Sequence, residues 1–183
     1  MIFDLIKKRR SVFPVQYNQE SISKEAIEKI LEAANWAPTH RKTEPWRFKV
    51  VQGDKLEELG TFVAEKYKGT TDKYSDFKYK KIKQKFLQSN CVISICMQRD
   101  VQERIPEWEE IASTAMAVQN MWLMATDLNI GSYWSSPALI QYADKFFNLA
   151  EGEKCLGFFY MGYFDEELPE GKREPIENKV EWL

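Results

Sequence analysis

The stretch from Pro106 to Asn129 constrains this chain more than any other. Its apolar residues, Trp108, Ile111, Ala112, Ala115, Val118, Met121, Trp122, Ala125 and Leu128, recur at helical spacing but cover more than one stripe. The predicted helix is therefore buried on most sides. At 1.5 Å per residue it runs about 36 Å, too far for the rest of a chain this size to enclose. A partner subunit is expected to supply the missing cover. The length, 183 residues, argues for one domain over residues 1–183.

Other elements follow from local patterns. A short helix is expected over Phe3–Arg10, with its cations at the C-terminal end where the helix dipole favours them. Ser23 is a good N-cap, Ile22 and Ile27 are spaced as a hydrophobic staple, and Ile27, Ile30, Leu31 and Ala34 predict a helix up to Asn35. Residues 37–45, with Pro38 and Pro45, must be a loop. Trp46 to Val51 alternates like a half-buried strand, with Trp46, Phe48 and Val50 inward. Helical spacing over Leu56–Tyr67 and Lys78–Leu87, interrupted by a polar segment, suggests a mobile flap over residues 66–90. Asn90–Gln98 reads as an interior strand, Gly131–Ser135 as a short strand, Ala138–Asn148 as a helix and Lys154–Phe164 as a strongly apolar strand.

Charge and cysteine content exclude several classes. A net charge of -2 provides no global field for nucleic acid or an anionic membrane. Residues 1–90 nevertheless hold 19 Lys/Arg against 12 Asp/Glu, so a local anion site belongs early in the chain. The dense run Lys78, Lys80, Lys81, Lys83 and Lys85 reads as a solvated helix face rather than a nucleic-acid patch, with Phe77, Tyr79 and Phe86 kept for core cover. No apolar run is long enough to cross a membrane, and with no secretory signal the cytoplasm is the expected compartment. Cys91, Cys96 and Cys155 lack metal spacing and read as buried thiols, and no metal site is expected. The single histidine, His40, and the absence of nucleophile-elbow, HExxH, GxGxxG or P-loop patterns argue against triad, metal and glycine-cradle chemistry. Any nucleotide phosphate must be gripped by side chains, and Lys7-Lys8-Arg9-Arg10-Ser11 is the best candidate. The alternative for that cluster is a solvated helix end.

Four motifs stand in register along the chain: Arg9-Arg10-Ser11; Ala37-Pro38-Thr39-His40 with Pro45-Trp46; Gly131-Ser132-Tyr133-Trp134-Ser135-Ser136; and Leu156-Gly157-Phe158 with Met161-Gly162-Tyr163. Together they resemble the FMN-dependent nitroreductase family, in particular its small bacterial branch. The resemblance implies an α+β fold, with a mixed, mainly antiparallel sheet flanked by helices, in an intertwined homodimer with two FMN sites at the interface. It implies that Arg9, Arg10 and Ser11 hold the FMN phosphate and ribityl chain, that His40 reaches the flavin from the opposite subunit, and that Trp134, Ser135 and Ser136 line its other side. Trp36 is a further candidate beside the isoalloxazine, and simple core packing is the alternative for Trp134. Many relatives carry a basic residue two positions after the motif serine; Phe13 stands there, so one phosphate contact is missing, with Arg41 as a substitute. The acidic tail offers phosphate partners only at Lys172 and Arg173.

The implied activity is hydride transfer from NAD(P)H through flavin N5 to a small electron acceptor, with nitroaromatics and quinones as the family's usual acceptors. A cation at Arg41 or Lys42 would stabilise reduced flavin. The alternatives are reduction of an activated alkene by the same flavin, and a flavin-binding or storage protein without turnover.

Overall fold

Strands with apolar residues on both faces have to lie inside a sheet that is covered on both sides, and two segments of this chain meet that description. The computed structural model describes residues 1–183. It contains one sheet of four strands: β1 (Trp46–Val51), β2 (Cys91–Gln98), β3 (Gly131–Ser135) and β4 (Glu153–Gly162). The order is β1-β2-β4-β3 and every pairing is antiparallel. The expected mixed sheet is thus purely antiparallel within one chain. β2 and β4 take the centre, which is why neither sequence alternates.

Helices α1 (Ile2–Lys8), α2 (Lys24–Asn35), α3 (Asp54–Thr70), α4 (Asp76–Leu87), α5 (Glu107–Asp127) and the short α6 (Asp144–Phe147) complete the regular structure. On one face of the sheet, Ile27, Ile30 and Ala34 of α2 and Val118, Met121 and Ala125 of α5 pack on Ile93, Ile95 and Phe159. On the other, Leu56, Leu59 and Val63 of α3 and Phe86 of α4 pack on Val92, Phe158 and Tyr160. The α2 N-cap forms as read: the Ser23 hydroxyl accepts from the Ala26 amide at 3.2 Å, and Ile22 and Ile27 are both buried.

Five expectations need correction. The α3–α4 pair is no loose flap here but a packed hairpin, in which Gly60 lets the helices approach so closely that a Cβ there would sit 3.0 Å from Phe86 Cβ. Its connecting turn is tied by the Tyr67 hydroxyl, which donates to the Lys73 carbonyl and accepts from the Ser75 amide. In β1, Val50 is exposed and Val51 is buried instead, because this edge strand is covered by α3 on the opposite face beyond Phe48. Phe77 is 75% exposed, leaving Phe86 and the half-buried Ile82 to fill the core from α4. The predicted helix over residues 138–148 breaks into a 3-10 turn, Ala138–Tyr142, and α6, ended by Asn148 in the left-handed region at φ 54°. Cys91 and Cys96 are buried as expected, but Cys155 is only half-buried.

No helix is long and apolar enough to cross a membrane, and no cluster of metal-ligating side chains is present.

Candidate functional site

The end of α1 delivers a chain of cations to the place where α5 meets β3. Residues 9–12 leave the helix extended, and the Val12 amide donates to the Ser132 carbonyl at 3.0 Å, docking the segment beside β3. Gly131 permits this approach: a Cβ there would lie 2.9 Å from Val12 Cβ and from Phe164 Cδ1. From α5, the Trp122 indole N–H donates to the Arg10 carbonyl at 3.1 Å, and its ring lies 4.7 Å from the Arg9 guanidinium carbon. Lys8 Nζ donates to Asn129 Oδ1 at 3.3 Å. The Arg9–Ser11 backbone is therefore fixed from three sides.

A cavity of about 1170 Å³ opens here. Lys7, Lys8, Arg9, Arg10 and Ser11 line it, with Gln119, Trp122 and Asn129, and the tail contributes residues 168–171 and Arg173. Arg10 straps the tail in place: its Nε donates to the Pro169 carbonyl at 3.1 Å, and Nη1 donates to the carbonyls of Arg9 and Lys7. Gly171 rests against the same guanidinium, where a Cβ would come within 2.7 Å of Arg10 Cζ. Arg10 is thus largely committed to backbone carbonyls.

Arg9 is the opposite case. It has no carboxylate partner, and burial together with repulsion from Arg173 and Arg10 pulls its pKa below the ordinary guanidinium value. Asp4, Glu166 and Glu170 also line the cavity, but Asp4 pairs with the N-terminal ammonium and Glu166 accepts from Gln16, and cations that no carboxylate engages suit an anion. Arg173 is the member that sequence reasoning undervalued, because nothing in an acidic, proline-interrupted tail announces that it folds back 160 residues onto the first helix. Trp122 was legible only as a core residue.

The remaining predicted residues lie elsewhere on this chain. Trp134 of β3 packs against the core on the α5 side, which contains Phe159, and its buried indole N–H has no acceptor. Ser135 is half-buried at the end of β3 and Ser136 is exposed. His40 stands in a 3-10 turn, His40–Lys42, where Arg41 and Lys42 adopt positive φ, and its Nδ1 pairs with Glu109 Oε2 at the start of α5. Trp36 is 79% exposed, and its indole N–H donates to Glu32 at 2.8 Å. None of these five lines the cationic cavity. Phe13 does not line the cavity and packs on Tyr133, with ring centroids 4.6 Å apart and the ring planes tilted by 53°.

Comparisons with known proteins identify the family and the fold. A family-wide sequence description, the Nitroreductase family, matches residues 6–163. The Bacillus subtilis protein named "Putative NAD(P)H nitroreductase YfhC" is 31% identical over 180 residues, covering 96% of this chain and 91% of that one. The crystal structure of a nitroreductase-like family protein from Bacillus cereus superposes with a TM-score of 0.86 at 28% identity, covering 100% of this chain and 96% of that one. A Bacteroides fragilis nitroreductase with bound FMN shares the fold, with a TM-score of 0.74 at 22% identity over 100% of this chain and 98% of that one.

Proposed function

The chain belongs to the nitroreductase family, and from that premise we propose that it is an FMN-dependent homodimer that passes hydride from NAD(P)H to an electron-poor small molecule such as a nitroaromatic or a quinone. The observation that carries this reading is the unpaired Arg9, set with Arg173 over a cavity whose rim is built from both ends of the chain. Its volume exceeds the roughly 300–1,000 Å³ common for small-ligand sites, so a mononucleotide fits. Charge-assisted hydrogen bonds from Arg9 and Arg173, with the Ser11 hydroxyl, suit a phosphate dianion. Arg10 acts chiefly on the frame, holding the tail against the site. The name of the Bacillus subtilis relative and the FMN in the Bacteroides fragilis structure support the same cofactor pair.

A flavin held there would supply the electron chemistry, so the protein would need no acid–base pair of its own. That suits a chain whose one histidine is engaged by Glu109. What the residues must do is hold the phosphate, orient the ring and exclude water.

One chain does not complete the ring site, and its surface suggests what does. Met1, Ile2, Phe3, Trp36 and Trp108 are all exposed, and a second cavity, lined by Ile2, Leu5, Ala33, Trp36, Leu123 and Met124, is predominantly apolar. Exposed apolar side chains beside an apolar cleft suit a protein interface. A second copy covering it would bring His40, Trp36 and the neighbouring Arg41 and Lys42 toward the flavin of the opposite subunit, while Trp134–Ser136 serve their own.

The lysine run of α4 does not favour nucleic acid. Lys83 pairs with Glu57 at 2.9 Å, and Lys78 and Lys85 lie over the rings of Tyr67 and Tyr133.

The test is direct. Purified protein is expected to be yellow, to bleach with NADPH or NADH under anaerobic conditions, and to recover colour when a nitroarene or quinone is added. Colour that the nicotinamides cannot bleach would overturn the enzymatic reading in favour of flavin storage.

A further inference from the structure

Two of the three cysteines stand opposite one another in the sheet, away from the cationic cavity. Cys96 of β2 and Cys155 of β4 are register partners across an antiparallel pair, at a bulge between Ile95 and Cys96. Directly opposed residues in such a pair have Cα atoms about 4.5–5.5 Å apart, inside the roughly 4.4–6.8 Å that a disulfide spans. Their side chains share one face. The Ser94 hydroxyl lies 3.3 Å from Cys155 Sγ and 3.6 Å from Cys96 Sγ, so a single oxygen touches both sulfurs.

The two thiols are unequal. Cys96 is fully buried, whereas Cys155 is half-buried. A hydrogen bond from the Cys96 thiol, with help from Ser94 and against the effect of burial, lowers the pKa of Cys155; making that bond and being buried raise that of Cys96. One thiol is thus the better nucleophile and the other sits ready to resolve it.

We propose that Cys96 and Cys155 form an oxidisable dithiol, which a hydroperoxide closes into an intrachain disulfide linking β2 to β4. The Cys155 thiolate attacks the outer peroxide oxygen, the O–O bond breaks, and hydroxide or alkoxide leaves to give a sulfenic acid. The Cys96 thiol then attacks that sulfur, its proton passing to the departing hydroxyl as water. Two thiols lose two electrons and the peroxide gains them. A dithiol reductant such as dithiothreitol restores the pair by exchange. Cys91 takes no part, being buried and facing the α2–α5 side of the sheet.

The test uses the reduced holoprotein in its native buffer. After treatment with hydrogen peroxide and removal of the excess, the protein is denatured in N-ethylmaleimide and its cysteines are assigned by fragmentation mass spectrometry. Alkylated thiols are expected to fall from three to one, that one being Cys91, with a Cys96–Cys155 linkage that dithiothreitol abolishes. In the Cys155→Ser variant, Cys96 is expected to remain alkylatable after the same treatment. The proposal is overturned if Cys155 is recovered as a sulfinic acid while Cys96 stays free, if Cys155 links two chains instead, or if all three thiols survive a peroxide dose that oxidises free cysteine.

Discussion

Replacing Gly131 by Ala should damage the cofactor site through a single methyl group. The added Cβ would meet Val12 Cβ, Val12 Cγ1 and Phe164 Cδ1, each at 2.9 Å. Val12 is 2% exposed, so it cannot swing into solvent. Overpacking of this kind costs about 1–3 kcal/mol. Moving Val12 off β3 also breaks the bond from its amide to the Ser132 carbonyl, for about 0.5–1.5 kcal/mol more. The sum, about 1.5–4.5 kcal/mol, lowers the melting temperature of a domain this size by about 9 °C as a central value. Because Val12 follows Ser11 directly, flavin occupancy should fall in parallel. The control is Gly69→Ala, the same chemical change in the last turn of α3, where nothing lies within 4 Å of the new Cβ. It should be neutral or stabilise by up to about 1 kcal/mol. Thermal denaturation with and without added FMN reads both variants. A Gly131→Ala protein that melts with the wild type and keeps its flavin would refute the claim that this close approach positions the phosphate segment.

Two further outcomes follow from named contacts. Trp122→Phe keeps a ring beneath Arg9 but removes the donor to the Arg10 carbonyl; the loss should be about 1–3 kcal/mol in urea denaturation, and an unchanged midpoint would show that the Arg10 backbone is held otherwise. Hydrogen bonds from Arg104 hold the Asp100 carboxylate down to about 2, below its ordinary value of 3.8. A depressed carboxylate stabilises the fold above its unfolded pKa and loses that contribution as pH falls through the folded value, so the gap between wild type and Arg104→Met should be constant above about pH 4 and close toward about pH 2. Melting curves across that range check it, and a gap that widens on acidification would reverse the sign.

Much of the fold was legible because local chemistry and tertiary context agree there. Ser23 caps α2, and the β-branched run of β2 sits at the centre of the sheet. The failures come where tertiary contacts overrule local pattern. Alternation placed Val50 inward, but the edge strand β1 is covered on the Val51 side beyond Phe48. Helical spacing over residues 138–148 did not reveal that Asn148 turns left-handed and that the segment tightens into a 3-10 turn. At the site, Arg9-Arg10-Ser11 could be read as an anion grip from charge alone. That Arg10 would be spent on the carbonyls of Pro169, Arg9 and Lys7 could not, and Arg173, named only as one of two tail cations, could not be placed beside Arg9, since both depend on a tail with no periodicity folding back onto the first helix. The separation of Trp36 from that cavity was not legible in sequence, whereas the resemblance already assigned His40 to the flavin of the opposite subunit.

The central claim is that the phosphate end of the cofactor is recognised by Arg9 and Arg173, and the most direct test compares FMN with riboflavin, which lacks only the phosphate. Titration of apoprotein by flavin fluorescence should show FMN binding at least about 100-fold more tightly than riboflavin, from two charge-assisted contacts of about 1.5–3 kcal/mol each. That gap should shrink about tenfold or more in Arg9→Ala and again in Arg9→Ala/Arg173→Ala, with riboflavin affinity unchanged. Equal binding of the two flavins by the wild type, or a gap that survives both substitutions, would contradict it.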